Sequence, residues 1–184
     1  VAVNAAAERF RALCPGLDGE SLPEAFRDGP APELYKGDDQ ADMLDLLLKR
    51  IELFVRRLDY DPDNLCVIVP TNSDVELVSR YLSDAGLSVS DVRDKDFSFS
   101  ERGSIRISTM HSVKGLDFPV VLLFIPKYHL GDPTADAGAS ERMARNLVYV
   151  AMTRAMDHLN VFVRKDTENG VIKDLAACIA PSQP

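Results

Sequence analysis

Several features are scarce in these 184 residues, and each scarcity excludes a class of protein. Cysteine occurs only as Cys14, Cys66 and Cys178, far apart and odd in number. With no CxxC pair, neither a disulfide framework nor a zinc site is indicated, no metal ligands are expected in the chain, and a reducing cytoplasm is the expected compartment. No apolar run approaches the roughly 18 residues that a membrane span requires. Residues 1–10 carry no basic segment followed by an apolar one, so no signal peptide is expected and no membrane partner. Positive charge is outweighed: 21 Lys and Arg face 29 Asp and Glu, a formal charge of -8. That balance argues against a nucleic-acid coat protein, which needs a broadly basic surface. A GxxxxGK[ST] phosphate loop is missing, and no strand ends in an Asp-Glu pair suited to magnesium. A metabolic α/β enzyme would need a nucleotide or catalytic cluster complete within the chain, and none is found.

What is present describes a soluble globular chain, with 46% hydrophobic and 27% charged residues. The length fits a single domain over 1–184 with a sizeable core. Residues 1–64 read as a helical and irregular part, 65–163 as a core, and 164–184 as a closing helix and tail. The charge is uneven. Residues 101–164 hold eight Lys and Arg against six Asp and Glu, whereas the remainder is strongly acidic. A polyanion is therefore expected to meet the later segment.

The pattern along the chain alternates strand and helix. A short helix to about Leu13 is followed by a Pro/Gly-rich connection over 15–32, and Glu33-Leu34-Tyr35 suits a short strand. Residues 38–58 form an amphipathic helix in which Leu44, Leu47, Ile51, Phe54 and Leu58 recur at steps of three and four. Acids at its start and bases at its end complement the helix dipole, so these charges read as structural. Residues 65–69 form an apolar strand of the buried parallel kind. Ser73 and Glu76 have capping-box spacing for a helix that Gly86 ends. Strands are expected at 87–92, 105–109, 120–125 and 158–163. A loop with Gly131, Pro133 and Gly138 precedes a helix capped by Ser140 and running to about Met156, and a last helix covers 171–179. This order predicts an α/β fold of three layers, with a mostly parallel sheet covered by helices on both faces. Ligands of such sheets sit beyond the carboxyl ends of the strands, which directs attention to the loops after Val69, Thr109 and Ile125.

Two segments carry more chemistry than connectors need. Between the strands that end at Thr109 and begin near Val120 lie His111, Lys114, Gly115 and Asp117. An imidazole, an ammonium and a carboxylate in one short turn suit ligand binding, although Lys114-Gly115 also suits an ordinary turn and His111 a helix cap. The second segment, residues 145–155, is a largely apolar helix with Arg154 near its end. By spacing, Arg154 suits either a cation that caps the last carbonyls or a guanidinium held rigidly toward a phosphate.

Together, Thr109-Met110-His111-Ser112-Val113-Lys114-Gly115-Leu116-Asp117-Phe118 and Arg145-Asn146-Leu147-Val148-Tyr149-Val150-Ala151-Met152-Thr153-Arg154-Ala155 resemble motifs V and VI of superfamily 1 DNA helicases of the UvrD/Rep/PcrA type. Val67-Ile68-Val69-Pro70-Thr71-Asn72 resembles a further, weaker family segment. The resemblance spans about 65–163 and implies the second of two RecA-like motor domains in an ATP-dependent helicase or translocase, with DNA repair as the family setting.

Roles follow position by position. Arg154 matches the arginine finger that reaches the γ-phosphate of ATP. Lys114 and Gly115 line the nucleotide cleft, and Asp117 stands where the family usually has a Glu that contacts the nucleotide sugar. Thr109 and His111 match contacts to single-stranded DNA. Thr71 and Asn72 match contacts to its backbone, with Pro70 where the family often has Arg. Arg145 lies on the other side of its helix and is expected to be structural or to serve another surface. The implied cofactors are ATP and Mg2+, with the magnesium held mainly by a first motor domain that these residues do not include. The implied partners are that first domain and single-stranded or duplex DNA. On this reading the 184 residues are an excised half, inactive alone. They resemble the shorter members that lack a large helical insertion before motif V. The alternative is a non-catalytic RecA-like module that binds or scaffolds within a larger complex.

Overall fold

In the computed structural model, residues 2–13, 29–126 and 136–179 are described. The elements alternate as α1 (Ala2–Ala12), β1 (Glu33–Gly37), α2 (Gln40–Arg56), β2 (Leu65–Val69), α3 (Asn72–Asp84), β3 (Val89–Asp91), β4 (Ile105–Thr109), β5 (Phe118–Ile125), α4 (Ala137–Met152), β6 (Ala155–Arg164) and α5 (Gly170–Ile179). The strands form one sheet in the order β1-β6-β5-β2-β4-β3. Every neighbouring pair is parallel, so the expected mostly parallel sheet is parallel throughout the described residues.

Both faces of this sheet are covered, which is why its central strands read as unbroken apolar runs. Alternation sends Val121, Leu123 and Ile125 of β5 to the face covered by α1, α4 and α5. Val120, Leu122 and Phe124 go to the face covered by α2 and α3. The result is the three-layer arrangement that the element order predicts.

Helix α2 buries Met43, Leu44, Leu47, Ile51 and Phe54 along one side. Leu58, expected on that side, is 46% exposed. The helix stops at Arg56 with Arg57 as its C-cap, so Leu58 falls outside the helical repeat that would turn it inward. Asp39 caps the helix, accepting a hydrogen bond from the Asp42 amide at 2.8 Å. Replacing Asp39 by Ala is expected to cost about 1 kcal/mol in urea unfolding, the usual value of such a cap.

The other caps differ from those expected. Thr71 and Asp74 form the capping box of α3, in place of Ser73 and Glu76. Thr71 keeps an extended backbone (φ -132°, ψ 164°) at the end of β2 and can aim its oxygen at the first turn, whereas Ser73 is already helical. Gly86 ends the helix region at φ 83°, as expected. For α4 the cap is Asp136 rather than Ser140, and it accepts from the amides of Gly138 and Ala139 at 3.1 and 3.3 Å. Gly138 therefore lies in the first turn of α4. The helix ends at Met152 rather than near Met156, because Ala155 already pairs with Phe118 in the sheet. Gly131, Pro133 and residues 14–28 of the expected connection lie outside the described residues.

Candidate functional site

The residues singled out in the sequence fall into two groups, one at the carboxyl edge, where the strands end, and one at the amino edge, where they begin. The first lies beyond the carboxyl ends of β2 and β4, which are adjacent, with Val69 paired to Thr109. Thr71 donates its hydroxyl hydrogen to Asp74 Oδ2 at 2.6 Å and accepts from the Asp74 amide at 3.3 Å. Asn72 is exposed. Thr109 is buried, and its hydroxyl donates to Ser112 Oγ at 3.1 Å while accepting from the Ser112 amide. His111 follows it and is exposed. The two threonine hydroxyls are thus occupied in holding turns, and Asn72 and His111 stand exposed beside them.

From Thr109 the chain runs back to the amino end of the sheet. Thr109 stands level with Phe124 through β2, and Phe118 begins β5 six residues earlier, a drop of roughly 20 Å at the usual strand rise. Met110 and Val113 are buried against the face that carries α1, α4 and α5, with Leu116 packed beside them. These apolar anchors, three residues apart, fix one side of the crossover. Lys114, Gly115 and Asp117 stay exposed on the other. Gly115 turns the chain at φ +85°, a conformation in which a side chain is strained even though open space surrounds it.

The second group lies at the amino edge. Arg154 follows Thr153, the C-cap of α4, and its carbonyl accepts from the Phe118 amide at 2.9 Å. Its Nε donates to the Val150 carbonyl at 3.2 Å and its Nη2 to Thr153 Oγ1 at 3.1 Å. Its Nη1 lies 3.1 Å from Asp117 Oδ1. Arg154 is therefore a helix-capping cation and also a residue aimed along the crossover. A guanidinium has five N–H donors, more than these contacts use. Asp117 is well exposed, with 59% of its side chain accessible, so this ion pair contributes about 0–1 kcal/mol.

Neighbouring residues complete the picture. Tyr149 on α4 has a phenol pushed above its ordinary range, first by burial and then by the Glu8 carboxylate, while Arg11 and Arg154 pull it down. Arg145 is buried and bridges Glu141, at 2.8 Å, to Asp174 of α5, at 2.7 Å, the structural role expected of it. Arg93, beyond β3, was not singled out in the sequence, yet its Nη1 donates to Asn72 Oδ1. Nothing in its local sequence marks it, since the contact depends on how β2 and β3 are placed in the sheet. Among the described residues no three His, Cys, Asp or Glu side chains converge as a metal site, and no helix is long and apolar enough to cross a membrane.

Residues 88–166 match the UvrD-like helicase C-terminal domain family. The matched span runs from before β3 to beyond β6, and so includes Thr109, His111, Lys114, Gly115, Asp117 and Arg154 but not Thr71 or Asn72. No curated protein sequence matches. Among solved structures, the C-terminal domain of a possible DNA helicase from Lactobacillus plantarum WCFS1 is similar at a TM-score of 0.65 and 13% identity, covering 94% of this chain and 89% of that one. At that identity the likeness establishes the fold. The C-terminal domain of the DEAD-box protein Dbp5 is similar at a TM-score of 0.45 and 16% identity, over 82% of this chain and 84% of that one. The arterivirus nonstructural protein 10 helicase, solved with DNA, is similar at 0.43 and 12%, over 72% and 28%.

Proposed function

We propose that this chain, whose residues 88–166 match the UvrD-like helicase C-terminal domain family, serves as the second motor domain of an ATP-dependent DNA helicase or translocase. The observation that carries this reading is the junction of the two motif segments, where Arg154 meets both Asp117 and the start of β5. That junction sets a forked cation at a rigid edge, fixed by a helix on one side and a sheet on the other. ATP with Mg2+, held mainly by the first motor domain, would supply the phosphoryl group whose transfer drives stepping. Arg154 would bring its remaining N–H donors to the charge that develops on that group, the arginine-finger role. Lys114, Gly115 and Asp117 would line the same cleft. They fit one side of a nucleotide, being exposed and on the edge that carries Arg154.

The opposite edge would grip DNA through Thr71, Asn72, Thr109 and His111. A few hydroxyl, amide and imidazole groups suit contact to single strands without a broadly basic face, in keeping with the acidic balance of the chain. The roughly 20 Å crossover between the edges would then link the DNA grip to the nucleotide cleft through one short, anchored segment. Because Thr109 is buried, its share of the grip would act by shaping the turn that presents His111.

Replacing Thr109 and His111 together by Ala in the protein that joins both motor domains is expected to weaken single-stranded DNA binding by about tenfold, the loss of one or two hydrogen bonds. ATP affinity should fall by much less. Titrations of labelled oligonucleotide and of nucleotide on the same variant check this, and a larger loss for ATP would refute the grip assignment. DNA-stimulated turnover that is absent from the wild-type protein would favour a non-catalytic binding module.

A further inference from the structure

The loop after β3 brings Arg93 against Asn72, across the width of β4. Two strand spacings, about 10 Å, separate the ends of β2 and β3, so only a long side chain makes this contact. The guanidinium is held firmly at its base. Its Nε donates to Asp91 Oδ1 and Oδ2 at 2.8 and 3.2 Å, its Nη2 donates to Oδ2 at 2.5 Å, and the Arg93 amide donates to Oδ1 at 2.9 Å. The free end, Nη1, donates to Asn72 Oδ1.

That geometry decides which way the Asn72 amide faces. A guanidinium only donates, so the amide must present its oxygen to Arg93 and turn its Nδ2 hydrogens the other way. Without Arg93 the two ends of the amide would be interchangeable.

We infer that Arg93 is a positioning residue for nucleic acid, fixing the Asn72 amide so that its two Nδ2 donors meet a phosphate backbone. The inference rests on the reading that Asn72 contacts DNA.

A double-variant cycle on this chain tests it, with a fluorescent oligothymidylate of about 20 nucleotides as the probe and anisotropy as the readout. Asn72→Ala is expected to weaken binding about fivefold, as for one lost hydrogen bond. Arg93→Ala should do the same, and the pair together should lose little more than either alone, because both remove one arrangement. Arg93→Lys keeps the charge but cannot hold Asp91 with a fork and reach Asn72 as well, so it should not restore affinity. Arg93→Ala combined with Asp91→Asn removes the ion pair whole and should show the same loss with an unchanged unfolding midpoint. If Asn72→Ala weakens binding while Arg93→Ala does not, or if the two losses multiply, or if Arg93→Lys binds as wild type, the positioning role is wrong and the DNA contact at Asn72 stands. An unchanged affinity in Asn72→Ala removes that contact and the positioning role with it.

Discussion

With Arg154 replaced by Ala, in a protein that joins this domain to the proposed phosphate-holding motor domain, DNA-stimulated ATP turnover is expected to fall by about 1,000-fold, the low end of what an arginine finger contributes. The fold should survive. Arg154 gives the domain two hydrogen bonds, to the Val150 carbonyl and to Thr153 Oγ1, and one exposed ion pair to Asp117, contacts together worth roughly 1–4 kcal/mol. A structural cap and a catalytic finger thus predict different ratios of lost activity to lost stability. Steady-state turnover beside a urea titration of the same variant separates them, and near-normal turnover would remove the finger assignment.

The largest expected effect on stability comes from a different place. Phe162→Ala should lower the unfolding free energy by about 3–5 kcal/mol, the range for deleting a buried ring. Its side chain is fully buried, stacked on Tyr35 at 4.9 Å and tilted against Phe124 at 6.3 Å. The ring therefore joins β6 to both of its neighbours, β1 and β5, beneath the α2 layer. Strand β1 is the edge strand here and pairs only with β6, so a cavity at Phe162 loosens the point where it attaches. For a chain of this length the thermal midpoint should drop by roughly 10 °C. A change below about 1 kcal/mol would mean that the layer collapses to fill the space, contrary to the close packing described.

The strands were the most legible part of the fold, for a physical reason. Residues 65–69 and 120–125 are apolar at every position because helices cover both faces of a parallel sheet, and such a run has few other uses. Caps were less legible. Thr71 and Ser73, or Asp136 and Ser140, offer the same chemistry a few residues apart, and the choice depends on where the preceding segment leaves the backbone extended.

In the candidate site the motif residues were legible, but their separation into two edges was not. His111 and Asp117 look like members of one polar turn in the sequence. Buried Met110 and Val113 convert that turn into a crossover that descends the full height of the sheet. Asn72 and His111 lie beyond the carboxyl ends of β2 and β4, the region to which the strand order directed attention, whereas Arg154 and Asp117 stand at the amino ends of β6 and β5. Arg93 could not be found from sequence at all. Its meaning comes from Asn72, which the chain order places far from it and the sheet order places two strands away.

The claim that Arg154 acts on a nucleotide held by a partner domain is tested most directly by single-turnover ATP hydrolysis in the two-domain protein with single-stranded DNA bound. Wild type and Arg154→Ala should be compared with nucleotide affinity measured on the same samples. The account predicts ATP affinity within about threefold of wild type and a chemical step slower by about 1,000-fold. Equal rates of the chemical step, with any change confined to affinity or to unfolding, would contradict it and leave Arg154 as the cap of α4.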